Sequence, residues 1–350
     1  TRPVSSAASD VYKRQTLSRS LITPFLQFCS DRALRELAYV AWTKRGANEG
    51  DRNNVKLAYE TLKLRAQMAK ILGYASYSHY KLDTEMASSP ENVDKLLTTV
   101  WGPARKAAIK DEAILSSLMR QDGIGDTLRA WDWRFYAERR RLRDYDLNEE
   151  NVKPFFQLDN LINATFKCAS ELFGLEFSPL DVPLYHDDCR AWTVSRKGES
   201  IAVFIGDYFS RPSKRSGAWC NAMRSQAKFP TKQIPIVVNV CNFSKVDNFL
   251  LSFEDAKTLF HEFGHALHQI LSDVTYNIIS GTSVARDFVE LPSQLFEHWL
   301  EVPDILEEFA THCETGETLP PKMLSSILAA STFDMGLSLI HISEPTRLVS

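Results

Sequence analysis

The chain has 350 residues, of which 44% are hydrophobic and 24% charged, and its formal net charge is -3. This length and composition indicate a soluble globular protein with one large or two ordinary domains. The small net charge argues against a nucleic-acid-binding surface spread over the whole chain, and no apolar stretch reaches the ~18 residues that a membrane span needs.

The first half of the chain has the periodicity of helices. Apolar residues recur at three- and four-residue steps in segments 31–45 and 53–73, and the second of these ends at Gly73, as helices often do. Segment 88–121 begins with Ser-Ser-Pro-Glu, which is typical of a helix N-terminus. Segment 153–174 is also periodic and closes on a glycine. We therefore expect a helical block before residue 178.

A basic run, RRRLR, occupies residues 139–143 and follows the aromatic segment AWDWRFYAE. We expect its arginines to form a solvated helix face paired with acids, and the alternative is contact with an anionic partner. The six cysteines are scattered without a CxxC pair, which favours reduced thiols over a disulfide framework. This cysteine pattern fits an intracellular protein, and we expect a cytoplasmic one.

The pattern changes near residue 180. Segment 181–209 alternates and is rich in β-branched and aromatic residues around the turn-like RKGES, and QIPIVVNVCNF (233–243) is the best strand candidate. Helical periodicity returns after residue 254. The predicted fold class is therefore mainly α, with a small β-sheet inserted between helical blocks.

The segment TLFHEFGHALHQIL (258–271) contains three of the eight histidines. On a helix, His261, His265 and His268 fall on the side opposite to the apolar residues, at about 100° per residue. This placement weakens the interpretation that they pack in a core, and an exposed polar face remains an alternative. His261 and His265 are one turn apart, so both imidazoles can reach one metal ion. Glu262 points away from that ion and is placed to deprotonate a water on it, which is the H-E-x-x-H pattern.

A third ligand is expected from a second helix over 285–300. Its predicted apolar side contains Phe288, Leu291, Leu295, Phe296 and Trp299, and Glu290, Ser293 and Glu297 lie opposite. The loop 277–283 allows this helix to turn back along the first one. Two histidines and Glu290 would leave the fourth position to water, as catalytic zinc sites do. We therefore predict one zinc ion held by His261, His265 and Glu290, and a plain surface acid is the alternative for Glu290.

These residues resemble a known family. LFHEFGHALH followed by SGTSVARDFVELPSQ is similar to the zinc metallopeptidases that include thimet oligopeptidase, neurolysin and oligopeptidase A. The similarity extends to segments 53–82, 181–190 and 207–219, and it covers about residues 20–338. The forms RDFVELPSQLFEHW, KPFFQLDN and TGETLPPKML most resemble the peptidyl-dipeptidase branch of that family.

The resemblance implies the same zinc ligands, with Glu262 as the general base. It also implies a two-lobed, mostly helical zincin-type body whose narrow channel admits short unstructured peptides. In that mechanism zinc activates a water, Glu262 takes its proton, and the proton passes to the leaving amine. We expect peptides as the partners, with neither nucleic acid nor membrane, and a monomer.

Other residues have weaker assignments. The strand within 233–243 would lie near the cleft as an edge strand that pairs with the substrate backbone, which makes Val238, Asn239 and Asn242 candidate substrate-binding residues. His268 and Glu297 have no ligand role in the family, and both are candidates for orienting a metal ligand by contact with its side chain.

The two ends of the chain match nothing in the periodicity of their neighbours. Residues 1–15 and 339–350 are predicted to be non-native, so that a mitochondrial or plastid location is an alternative to the cytoplasm. Between the two ends we expect a helical lobe (16–178), a β-containing segment lining the cleft (179–253) and the catalytic zinc-binding helices (254–338).

Members of the resembled family continue beyond the matched part. The C-terminal part that they add brings a histidine and a tyrosine-rich loop that stabilise the oxyanion. Since losing one oxyanion donor typically costs ~10²–10³ in turnover, we expect a C-terminally truncated chain of weak or no activity.

Two functional alternatives remain open beside a peptidyl-dipeptidase. One is an endo-acting oligopeptidase of the same family, and the other is a non-catalytic peptide- or metal-binding protein on a peptidase scaffold. Removal of C-terminal dipeptides requires a cation for the substrate carboxylate, and the candidates are Arg211, Lys214, Arg215 and Arg224.

Overall fold

The computed structural model describes residues 17, 19–125, 127–146, 149–215, 217–245, 249–330 and 333–339. The stretch 1–15, predicted to be non-native, lies outside these ranges, and so does the C-terminal stretch 339–350 apart from its first residue. The structure is 54% helical and contains a mixed five-stranded sheet, which confirms the predicted mainly α class with a small sheet.

The chain divides into two compact units. Of the described residues, those within 1–83, 87–146 and 329–350 form one unit, and those within 84–86 and 147–328 form the other. The division into three functional segments that the sequence suggested stays a prediction.

The first unit is helical. Its helices are α1 (Arg19–Phe28), α2 (Arg32–Thr43), α3 (Val55–Ile71), α4 (Tyr77–Leu82), α5 (Pro90–Gln121) and α6 (Ala130–Tyr145). The serine expected at the start of segment 88–121 is the N-cap, because the side chain of Ser89 accepts a hydrogen bond from the backbone of Asn92. The buried Asp132 of α6 accepts hydrogen bonds from Arg32 and Arg35 of α2 and so joins the two helices.

The arginines of the basic run 139–143 lie on α6 and pair with acids. Arg140 lies 2.6 Å from Asp111, and Arg141 lies 2.6 Å from Glu138. The pairing that the sequence predicted for this run is therefore present.

Among the residues described, no helix combines the length and the apolar character that a membrane span requires.

The second unit surrounds the sheet. It contains the helices α7 (Glu149–Val152), α8 (Leu158–Phe173), α9 (Phe253–Ile270), α10 (Leu291–Glu297) and α11 (Pro303–Phe309), most of α12 (Pro321–Ala330), and 3₁₀ turns at Lys153–Phe155, Asn277–Ile279 and His298–Glu301. Its strands are β1 (Leu175–Pro179), β2 (Arg190–Arg196), β3 (Glu199–Phe209), β4 (Trp219–Arg224) and β5 (Ile236–Phe243).

The strand order is β1-β2-β3-β5-β4, in which β3 and β5 are parallel and the other neighbours are antiparallel. One face is covered by α8 and α9, where the ring of Phe263 packs edge-on against that of Phe204 at 5.3 Å. The sheet therefore supports the histidine-containing helix directly.

The prediction of an edge strand at Val238, Asn239 and Asn242 is wrong. These residues belong to β5, which lies between β3 and β4, and β4 is an edge of the sheet. The near-continuous apolar run of β5 is typical of a strand buried on both faces, a pattern that does not reveal which neighbours it pairs with.

Candidate metal centre

Helix α9 holds the histidines. It begins at a capping box in which the Ser252 side chain accepts a hydrogen bond from the Asp255 backbone and the Asp255 carboxylate accepts one from the Ser252 backbone. The sequence predicted one buried and one polar side, but Glu262 and His265 are buried together with the apolar residues. The helix is enclosed almost all round, because the sheet covers one side and α10 covers another.

Helix α10 is shorter than predicted and begins only at Leu291, immediately after Glu290. Its faces also differ from the prediction, since Ser293 is fully buried while Leu291 and Leu295 are about half exposed. Gly264 explains the difference. A Cβ at that position would lie 2.6 Å from the Cα of Ser293, so the two helices cross in close contact at that point.

Three predicted ligands come together at this crossing. Oε2 of Glu290 lies 3.2 Å from Nε2 of His261 and 3.2 Å from Nε2 of His265, and the three atoms lie within 4.8 Å of one another. In a tetrahedral zinc site with bonds of ~2.0–2.1 Å, neighbouring ligand atoms are about 3.3 Å apart. Two imidazoles and a carboxylate are also donors that zinc prefers, so the set fits a zinc ion in its chemistry and in the two distances to Glu290.

Glu297 contacts the other nitrogen of one of these histidines. Its Oε1 lies 2.6 Å from Nδ1 of His261, and this hydrogen bond raises the pKa of the imidazole. Burial raises the pKa of Glu297 itself, but the bonds to His261 and Lys257 outweigh burial and hold that pKa below its ordinary value. Glu297 is therefore held in its charged form against Nδ1, while Nε2 of the same ring faces Glu290. Its predicted role of supporting His261 stays a prediction.

Glu262 is the buried acid beside this set. It is 5% exposed, and its Oε2 has no hydrogen-bond partner within the described part of the chain. Burial raises the pKa of Glu262 to about 7. A carboxyl group with this pKa can both take and release a proton near neutral pH.

His268 does not join the three ligands. Its ring centroid lies 6.2 Å from that of Phe288, its Nδ1 has no partner among the residues described, and burial lowers its pKa. It lines an apolar cavity of about 600 Å³ between α9 and α10. Its predicted support role stays a prediction.

The candidate substrate-binding residues are not placed at an open cleft. Val238 and Asn239 are buried, and the amide of Asn242 donates to the carbonyls of Arg215 and Gly217. Their predicted role is not tested, but the backbones of Val238 and Asn239 are paired on both sides with β3 and β4.

Two of the cations considered for a substrate carboxylate are already paired. Arg211 and Lys214 both lie within 2.9 Å of the buried carboxylate of Asp207. The sequence analysis missed this cluster, because Asp207 lies on the strand β3, where the helical i, i+4 rule gives no signal. It also missed Lys257, which lies one turn before His261 and 3.5 Å from Glu297.

The sequence of the chain matches peptidase family M3 over residues 25–343. The chain belongs to this peptidase family. It is 36% identical over 333 residues to a dipeptidyl carboxypeptidase of Escherichia coli, which covers 93% of this chain and 48% of that protein. The family relationship that the motifs predicted is therefore confirmed.

Two plant proteins are similar to this chain at the same 36% identity. The probable cytosolic oligopeptidase A of Arabidopsis thaliana is 36% identical over 95% of this chain and 49% of its own length. The organellar, chloroplastic/mitochondrial oligopeptidase A of the same plant is 36% identical over 92% of this chain and 42% of its own length. The chain thus spans about half the length of the curated relatives it matches. The names of these relatives support the assignment of this chain to a peptidase.

Proposed function

We propose that this chain carries the metal centre of a zinc peptidase that hydrolyses short peptides. The observation that supports this most directly is the convergence of Nε2 of His261, Nε2 of His265 and Oε2 of Glu290 beside the buried carboxyl group of Glu262. The three donors would hold the ion, and a bound zinc supplies Lewis-acid activation of a water and of the scissile carbonyl.

The side chains of the protein perform the proton transfers. Glu262 would accept a proton from the attacking water and then donate it to the leaving amine, for which its pKa of about 7 suits both steps. Glu297 keeps Nε2 of His261 directed at the ligand set by accepting the hydrogen bond from Nδ1.

The substrate would lie along β4. This strand is an edge of the sheet and packs against α9, which carries the base and two ligands. An extended peptide can add to such an edge through main-chain hydrogen bonds, without requiring a particular side chain. This replaces β5 as the candidate for substrate pairing, while the two-lobed body with a channel stays a prediction.

The reaction mode we favour is the release of C-terminal dipeptides. It rests on the similarity to a protein named dipeptidyl carboxypeptidase, and the similarity to two proteins named oligopeptidase A keeps an endo-acting enzyme as the second candidate. The names of the plant proteins refer to the cytosol and to organelles, so the compartment of this chain stays a prediction.

The test is the zinc content together with hydrolysis of a short peptide by the purified protein. We expect one zinc per chain, removal of hydrolysis by a chelator, and recovery on adding zinc back. A His261→Ala variant that still bound one zinc would contradict the metal centre. One bound zinc without hydrolysis, in a protein that spans the whole length of the relatives, would favour the alternative of a non-catalytic metal- or peptide-binding protein.

A further inference from the structure

Asn239 is a buried polar residue that the packing of the sheet does not explain. It is fully buried, and neither its Oδ1 nor its Nδ2 has a hydrogen-bond partner in the described ranges. An unpaired buried carboxamide costs stability that an apolar residue of similar shape would not. The lack of partners for these two atoms therefore indicates a polar group on the other side of the interface that Asn239 faces.

That interface is the one with α9. Val238 and Val240 pack in the cluster on the opposite face of the sheet, and successive residues of a strand point to alternate faces. Cys220 pairs with Asn239 across β4 and β5, and its Sγ accepts a hydrogen bond from Gln269 of α9. Asn239 consequently lies under α9, directly across from Cys220, which α9 contacts through Gln269.

Glu262 is the second unpaired polar group at the same interface. Its buried Oε2 has no partner among the described residues. Burial raises the pKa of the thiols of Cys220 and Cys241, and the nearby carboxylate of Glu262 raises both further. Glu262 precedes Gln269 by seven residues, or two turns of α9, so both side chains lie on the face of the helix that contacts Cys220. Since Cys220 is opposite Asn239 on β4, this face lies over the part of the sheet that contains Asn239.

We propose that Asn239 is a positioning residue for Glu262. Its carboxamide pairs with Oε2 of Glu262 through one shared water molecule, since neither group has a direct partner among the described residues, and so fixes the rotation of the carboxyl group with Oε1 towards the metal ligands. A carboxamide suits this role because it offers a donor to the ionised acid and an acceptor to the protonated acid. The inference deepens the proposed function and rests on it for its catalytic consequence.

The pairing is tested first without metal, by thermal unfolding in the presence of a chelator. The variants are Asn239→Leu, Glu262→Gln and the double variant. If the two side chains share a hydrogen-bonded water, the shift in Tm of the double variant differs from the sum of the single shifts by about 2 °C or more. Additive shifts would overturn the proposal.

Two further pairs serve as matched controls. Asn242 is on the same strand but bonds to loop carbonyls, so Asn242→Leu is expected to be additive with Glu262→Gln. Gln269→Leu is expected to be additive with Asn239→Leu, because Gln269 bonds to Cys220. Coupling of Asn239 to Gln269 in place of Glu262 would assign the carboxamide a packing role only and would reject the proposal.

Kinetics then separate positioning from a structural role. For the zinc-loaded protein and a short peptide, Asn239→Leu is expected to lower kcat roughly 10- to 100-fold with KM and zinc content unchanged. In the Glu262→Gln background the same substitution should change the residual rate less than twofold. An unchanged kcat in an active protein would overturn the positioning role. If the unsubstituted protein binds no zinc, the proposed function fails, while the metal-free coupling still decides whether Asn239 holds Glu262.

Discussion

The carboxylate of Glu297 lies 2.6 Å from Nδ1 of His261, on the side of the ring away from the other two ligands. An imidazole held in this way presents Nε2 to a metal in one orientation and as one tautomer. The side chain that fixes the ring comes from the end of α10, the same short helix that follows Glu290. The short helix α10 therefore begins directly after one predicted ligand, Glu290, and ends at the residue that orients another, His261.

Glu297→Gln is expected to weaken zinc binding about 10- to 100-fold, because an amide can hold the ring but lacks the negative charge that makes it a better ligand. The dissociation constant can be measured by competition with a chelator. Glu301→Gln is the control, since Glu301 lies 3.9 Å from Lys257, and we expect its zinc affinity to change less than twofold. Equal weakening in both variants would contradict a specific role for Glu297.

Glu262→Gln is expected to keep zinc at one ion per chain and to lower peptide hydrolysis by about 10²–10⁴-fold. The reason is that Gln preserves the shape of the side chain but cannot accept the proton of the water. Zinc content and initial rates are measured on the same preparations. Parallel loss of zinc and of hydrolysis would show that Glu262 supports the site structurally and is not its base.

The raised pKa of Glu262 predicts a pH-dependent stability of the metal-free protein. Its stabilising contribution is fully present below its unfolded-state pKa of about 4.5 and is lost as the pH rises towards about 7, because the buried acid must then ionise. The loss amounts to roughly 3 kcal/mol in the free energy of unfolding, which corresponds to a rise of the pKa from 4.5 to about 7.

The quantity to measure is the difference between the unsubstituted protein and Glu262→Gln, by urea unfolding from pH 4.5 to 7.5 with a chelator. The difference is needed because burial lowers the pKa of His265 and His268, whose contributions increase with pH over part of this range. A difference that stays constant with pH would mean that Glu262 ionises at its ordinary value.

Gly264→Ala is expected to destabilise the protein by about 1–3 kcal/mol and to weaken zinc binding. The added Cβ would lie 2.6 Å from the Cα of Ser293 and 2.9 Å from the Cβ of Phe296, so α10 must move and take Glu290 with it. Gly102→Ala on α5 is the matched control, because its Cβ would meet no atom beyond its chain neighbours, and we expect its zinc affinity to be unchanged. Unchanged zinc affinity in Gly264→Ala would argue against the crossing as the determinant of the ligand geometry.

The proposed dipeptide release is tested with one peptide in two forms, with a free and with an amidated C-terminus. We expect C-terminal dipeptides from the free form and at least tenfold slower cleavage of the amide, because a dipeptidyl carboxypeptidase must bind the terminal carboxylate. Products are identified by mass spectrometry. Equal rates with cleavage at internal bonds would favour the endo-acting oligopeptidase.

The sequence predicted the elements well where the signal is local. The helices in 31–45, 53–73, 88–121 and 153–174 are present, and so are the strands on either side of RKGES. These depend on apolar period, capping residues and turn residues that lie within a few positions of each other. The helix predicted over 285–300 is shorter in the structure. Residues 286–290 form non-helical turns, and the helix begins at Leu291.

The sequence by itself determined the identity of the donors, because the H-E-x-x-H spacing on one helix places His261 and His265 one turn apart wherever that helix lies. Only the tertiary structure decided the rest. The crossing at Gly264 brings Glu290 and Glu297 to the histidines, and the order of the strands makes β4 the edge and places Asn239 under α9. Such contacts join residues distant in the chain, and they depend on packing and strand pairing that no local pattern records.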